Sequence, residues 1–342
     1  MSKMKQWFNI QLLIGLIIAA AVIAAVLSVI FKDRYTESGG KLSAQYQYNL
    51  EQFQKTDPAL ILYEETDIRF KTELDPSCAI AVDSQDNIYV AGGRSVRVFS
   101  SKGKPLPLNI DLDQEATSLT VDPNGRIFAG AGDRIVIFDS SGNLKSRWES
   151  AGPDALITSI AVSPDHVFAA NFTKREILQY DMSGRKIQTF GEFFLPSPHF
   201  DLAYSSDGQL WASHSGEHRI EAYDLSGNLV SWWGEFSTLA EGFCGCCNPV
   251  NFALLPHQSG FVTCEKGITR VKIYDAKGTF VGFAAGAEKF AEHDRLCLAP
   301  DYDYRRVALD VAADSKGRVL ILDPALAEVR IFQRMENQAA GT

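Results

Sequence analysis

From Cys78 almost to its end the chain alternates apolar and polar positions in short runs, each closed by turn residues. Period-two alternation over four to eight residues predicts half-buried β-strands. Five of the predicted strands end alike, in an aromatic residue, Asp or Ser, two further residues and Gly. The glycines are Gly103, Gly142, Gly184, Gly227 and Gly278, at intervals of 39, 42, 43 and 51. Glycine supplies a positive φ at such a hairpin, and Asp bonds the backbone ahead of it. Earlier turns recur in four copies, among them Asp122-Pro123-Asn124-Gly125 and Asp314-Ser315-Lys316-Gly317. Four short strands every forty-odd residues predict a propeller blade, which buries both faces only by stacking around an axis.

The fold class expected is therefore all-β, a six-bladed β-propeller over residues 59–335, followed by a tail at 336–342. The sixth copy stops after Val329-Arg330-Ile331-Phe332, while Leu60-Ile61-Leu62-Tyr63 precedes the first and lacks a partner. That N-terminal strand is predicted to become the outer strand of blade six and close the ring.

Upstream the pattern changes. Residues 10–30 are apolar except for Gln11 and Ser28, long enough at about 1.5 Å per residue to cross a ~30 Å hydrocarbon layer. A transmembrane helix is expected over 10–31, with 1–9 cytoplasmic and 32–58 a stalk. Within the stalk Leu42, Tyr46, Leu50 and Phe53 mark a short amphipathic helix that Pro58 ends. Lys3 and Lys5 precede the span; Lys32 and Arg34 follow it, interleaved with Asp33 and Glu37. The expectation is a single-pass bacterial inner-membrane protein with its large domain periplasmic.

A formal charge of −9 over 342 residues, with no Lys/Arg cluster, argues against a nucleic-acid partner. No Walker loop, Gly-x-Ser-x-Gly or His-Glu-x-x-His segment occurs.

Segments such as Asn87-Ile88-Tyr89-Val90 with Val96-Arg97-Val98-Phe99, and His218-Arg219-Ile220 with Ala222-Tyr223-Asp224, resemble the NHL-repeat family of six-bladed β-propellers. Cys244-Gly245-Cys246-Cys247-Asn248-Pro249, with Cys264-Glu265-Lys266-Gly267, looks like a group of uncharacterised bacterial membrane-anchored NHL proteins bearing a Cys-x-Cys-Cys-Asn-Pro loop. Strands in such blades run outward from the axis. Links between blades therefore share one face with the links joining second and third strands. Three of those inter-blade links are long, at 192–199, 235–248 and 284–304. All six cysteines map to this face, where loops on a rigid scaffold concentrate function.

Three uses of the thiols stand open. Six is an even number suited to disulfides in an oxidising compartment, for example Cys244 with Cys264, and the adjacent Cys246 and Cys247 are expected to face different partners. Cys244, Cys246, Cys247, Cys264 and Cys297 would also supply thiolates to a divalent metal or an iron–sulfur cluster. A redox-exchanging thiol pair is the third use.

Asn171, His214, Glu265 and Asp323 end the second strands of four blades, where NHL repeats usually carry Asp. They either hold their own links or form a ring of ligands at the channel mouth. The NHL resemblance extends to lyases and lactonase-like enzymes that hold a divalent cation in the channel. His199 and His293 join the cysteine face and are expected at the surface. The pairs Trp232-Trp233 and Phe193-Phe194 are expected between blades. The reading is a binding or scaffold module in a redox or electron-transfer setting. It takes a partner protein or small ligand on a face that carries Cys78, Asn171, His214, Asn248, Glu265, Lys266 and Asp323. The alternative is a metal-dependent lyase or hydrolase at the channel mouth.

Overall fold

The computed structural model describes residues 55–299, 303 and 307–336. The expected transmembrane segment, nearly all of the stalk and the tail from 337 lie outside them. Among the described residues no helix is long and apolar enough to cross a membrane.

Six four-stranded antiparallel sheets form the six blades. In blade one the order from the axis outward is Ser77–Val82, Ile88–Gly92, Ser95–Phe99 and Pro105–Asp111. Middle strands are covered on both faces by neighbouring blades, so Ile88–Gly92 and Val319–Asp323 are buried throughout and read as unbroken apolar runs. Outer strands touch solvent, as Leu229–Trp233 does at every position but Trp233.

The ring closes with the N-terminal strand in blade six, as expected, but further along the chain. The closing strand is Tyr63–Lys71, antiparallel to Glu328–Arg334. An outer strand faces water, so it is the charged stretch that pairs there: Glu65 binds Arg330 at 2.7 Å and Arg69 binds Glu328 at 2.6 Å. The apolar Leu60-Ile61-Leu62 run instead lies along blade five, with Leu62 N–H donating to the Phe283 carbonyl. Phe70 completes the seam by filling the place over Gly103 that Trp233 fills over Gly278. A Cβ at Gly278 would meet Trp233 Cγ at 2.1 Å, and its φ of +79° is left-handed.

A belt of side chains stitches the inner strands together. Each blade contributes a residue from the first two positions of its inner strand or, for Asp201, the position just before it, and each bonds the backbone of the next blade. Cys78 Sγ donates to Ala116 O, Thr117 Oγ1 to Ile157 O and Thr158 Oγ1 to Phe200 O. Asp201 accepts from Phe252 N–H, Asn251 Nδ2 donates to Leu309 O, and Asp310 accepts from Ile80 N–H. One such bond at each of the six junctions, at about 1 kcal/mol, opposes opening there.

Candidate functional site

The long inter-blade links, at residues 191–201, 234–250 and, of the third, the described residues 286–299, leave the blades on one face. In the second, Phe243 is fully buried between Trp233 and Tyr274 and anchors the cysteine-bearing half of the link. Asn248 then acts as a clamp: Nδ2 donates to the carbonyls of Cys244 (2.5 Å) and Lys266 (2.9 Å), and Oδ1 accepts from Lys266 N–H. So clamped, the loop brings Cys246 Sγ and Cys247 Sγ to 3.3 Å. The two neighbours face one another, contrary to the expectation of separate partners. Cys246 is exposed and Cys247 buried. Burial opposes charge on Cys247, but Ser197, the Cys246 thiol and the Lys266 ammonium outweigh it and bring the Cys247 thiol below its usual range. Cys246, giving its hydrogen bond to Cys247, is pushed up. Cys247 is thus the more acidic thiol of the pair.

None of the six cysteines is disulfide-bonded, which corrects the disulfide expectation. Among the described residues no three His, Cys, Asp or Glu side chains form a group able to hold a metal ion. The sulfurs differ too much in setting for a common cage. Cys264 is fully buried and its thiol is raised well above the usual range, first by burial and then by Asp310 and Asp201.

The residues that end the second strands do not line the channel, whose wall is built from the inner strands. Asn171 Nδ2 donates to Glu176. His214 Nε2 accepts from Phe194 N–H at 2.7 Å, so Nδ1 carries the hydrogen that Glu221 accepts at 2.9 Å. Glu265 accepts from Cys244 N–H and pairs with Arg270 and Lys272. Asp323 caps its own link by accepting from Ala325 and Leu326 N–H. These side chains hold the links of the loop face and are not channel-mouth ligands.

His293 is not at the surface. It lies on a helix, Ala291–Cys297, too short to show a hydrophobic period in the sequence, and is 1% exposed. Its Nδ1 meets Asp323 Oδ1 at 2.8 Å, and its Nε2 meets Cys297 Sγ at 3.3 Å and the Val307 carbonyl at 3.2 Å. His199 is half-buried, and burial with the Lys266 charge pushes its ring down to about 3, so it is neutral. Only one member of each aromatic pair is inter-blade core: Phe193 and Trp233 are buried, whereas Phe194 and Trp232 are exposed.

The channel encloses a cavity of about 770 Å³ running from the belt to the turns of the opposite face. Of the cysteines only Cys78 lines it. Its two carboxyl groups in the belt are Asp201 and Asp310. Burial lifts Asp201 to about 6; burial and the Asp201 charge lift Asp310 to about 8. Sequence reasoning passed over both, and over His293. Two signals were present: a polar residue recurring near the start of every inner strand, and the four-residue spacing of His293 and Cys297.

No protein-family profile matches the chain, and no curated protein matches its sequence. The fold resembles that of solved propellers. A streptogramin B lyase superposes with TM-score 0.56 at 11% identity, covering 82% of this chain and 100% of that one. Virginiamycin B lyase from Staphylococcus aureus gives 0.53 at 14% identity, covering 80% and 100%. Hydrazine synthase from Kuenenia stuttgartiensis gives 0.52 at 14%, covering 78% and 97%.

Proposed function

We propose that this propeller is a binding module that engages a partner protein through its cysteine-bearing loop face, in a redox setting. In this reading the 10–31 span tethers it to the bacterial inner membrane with the propeller outside the cytoplasm. The observation that supports it is the Cys246–Cys247 pair, sulfurs 3.3 Å apart with one of them exposed, framed by apolar side chains that reach into solvent. Phe194, Phe236 and Leu239 are 54%, 59% and 60% exposed. Phe236 stacks edge-on to His218, whose Nε2 lies 2.6 Å from the Gly245 carbonyl, and Phe194 stands on His214. Exposed aromatic and aliphatic groups around a polar centre are the composition of a docking surface. The opposite face is built from short turns folded onto their own Asp side chains, as Asp122 is by Asn124 and Arg126.

The test is photo-crosslinking in intact cells from position 236 on the loop face and position 124 on the turn face. A discrete adduct from 236 and none from 124 is expected. Equal labelling from both, or none from 236, overturns the assignment. Protease added to spheroplasts is expected to cleave the propeller; full protection overturns the orientation.

A further inference from the structure

We propose that Cys297, with His293 and Asp323, forms a nucleophilic thiol site that undergoes exchange with small-molecule disulfides. The argument is geometric. Residues four apart on a helix share a face, which puts the His293 ring beside Cys297. Cys297 Sγ lies 3.3 Å from Nε2, and Nδ1 lies 2.8 Å from Asp323 Oδ1. That oxygen is itself held by two backbone N–H groups, of Ala325 and Leu326, so the carboxylate cannot swing away. A nucleophile, a proton carrier and a group orienting the carrier thus stand in line. His293 is sealed from solvent, whereas Cys297 is half-buried and reachable.

Among the described residues, the carboxylates interacting with His293 are Asp323 from blade six and Asp294 beside it on the helix. Burial opposes charge on the ring, but Asp323 and Cys297 outweigh it and push His293 up to about 10. The local backbone also selects the reaction. The N–H groups next after the sulfur are spent within the helix end, Leu298 on Asp294 O and Ala299 on Leu296 O. They are not free to form an oxyanion hole, which disfavours acyl transfer. Disulfide exchange develops no oxyanion and needs only the thiolate and a proton for the leaving group.

In the step, the Cys297 thiolate attacks one sulfur of R–S–S–R. A Cys297–S–S–R bond forms and the original S–S bond breaks. The departing RS⁻ keeps the electron pair and takes its proton from solvent. Cys297 is oxidised, the small disulfide is reduced to one thiol, and His293, sealed from solvent, keeps its proton.

The test uses the full chain with glutathione disulfide, following the Cys297 peptide by mass spectrometry. In the unaltered protein the Cys297 peptide is expected to gain one glutathione in a second-order reaction. His293→Gln, which removes the partner 3.3 Å from Sγ, is expected to slow Cys297 about tenfold at pH 7. Asp323→Asn should act in the same direction, with Asp323→Glu restoring part of the rate. No glutathione adduct on Cys297 in the folded protein overturns the proposal without recourse to any variant. So does a folded His293→Gln protein reacting at the unaltered rate. Photo-crosslinking at position 236 reads the dithiol face separately, so either proposal can fail alone.

Discussion

Asp310→Asn puts a number on the belt. In the folded protein Asp310 accepts Ile80 N–H on Oδ2 at 2.8 Å and Val311 N–H on Oδ1 at 2.9 Å. Burial first, and the neighbouring Asp201 charge second, lift its carboxyl to about 8, against about 3.9 in an unfolded chain. The folded state therefore keeps a proton that the unfolded chain has released. Stability is greatest below about pH 4 and falls until the pH passes about 8. A shift of that size corresponds to roughly 5 kcal/mol. Asp310 retains contact with the channel, where water screens the charge, and we expect about 2 kcal/mol. Asparagine does not titrate, but its amide nitrogen must face one of the two N–H donors, costing about 1–3 kcal/mol at every pH.

The two effects oppose one another. At pH 4 the Asp310→Asn protein is expected to be the less stable, by about 1–3 kcal/mol. By pH 8.5 the deficit shrinks by about 2 kcal/mol as the unaltered protein gives up its proton. Urea titrations of both proteins across this range, read by tryptophan fluorescence, give the difference, with equal m-values as the check that both unfold alike. A stability gap that stays constant from pH 4 to pH 8.5 would refute the reasoning, since it would mean that Asp310 is ionised throughout. Asp201→Asn, which removes the repelling charge, is expected to shift the same loss toward lower pH, because Asp310 then ionises more readily.

Two further outcomes are expected. Gly278→Ala places a methyl group 2.1 Å from the Trp233 ring at a φ of +79°, whereas Gly267→Ala, at a φ of +89°, meets nothing within 4 Å. The second should cost about 1 kcal/mol of backbone strain and the first at least twice that, and equal melting temperatures would contradict it. Lys272 is fully buried and ties the cysteine-bearing link to blade five through the carbonyls of Ala240 (3.1 Å) and Gly242 (2.6 Å). Burial brings it down to about 8, so it is charged at neutral pH in both states. Lys272→Met should raise proteolytic cleavage within residues 235–248 about tenfold, the equivalent of ~1.4 kcal/mol of local opening; unchanged protection would show that Phe243 alone anchors the link.

The blades were legible because each repeats a local rule. Asp139, Asp181, Asp224 and Asp275 each fold a turn onto their own side chain, with glycine three residues on. Such a rule survives in the sequence wherever it is used. The closing strand lies further along than Leu60-Ile61-Leu62 because apolarity is a poor mark of a strand at the edge of a blade. The outer position is wet, and the chain fills it with Glu64, Glu65 and Arg69. The end at which each link emerges was legible from topology, since strand direction fixes it. What the thiols touch was not. Cys297 and Asp323 lie 26 positions apart, and their meeting through His293 depends on a seven-residue helix inside a link. The facing of Cys246 and Cys247 depends on the clamp of Asn248, a residue that reads in sequence only as a turn former.

The molecule separates closure from chemistry, and the separation is physical. Near the axis the inner strands crowd together, so a polar side chain there can reach the next blade's backbone, and all six belt residues do so. A group held in that way has its hydrogen-bonding capacity committed to the ring. Farther out, the links that leave blades three to five are longer than those that leave blades one and two. Length there creates room for residues that closure does not need, and it is those links that carry Cys246, Cys247, His293 and Cys297. Second-strand ends such as His214, Glu265 and Asp323 stand between the two zones. Each is anchored in a sheet yet bonded to a link, which is how a rigid scaffold transmits sub-ångström order to loops without strands of their own. Chemistry on this protein is therefore expected at the rim of one face, with the axis serving to hold that rim in register.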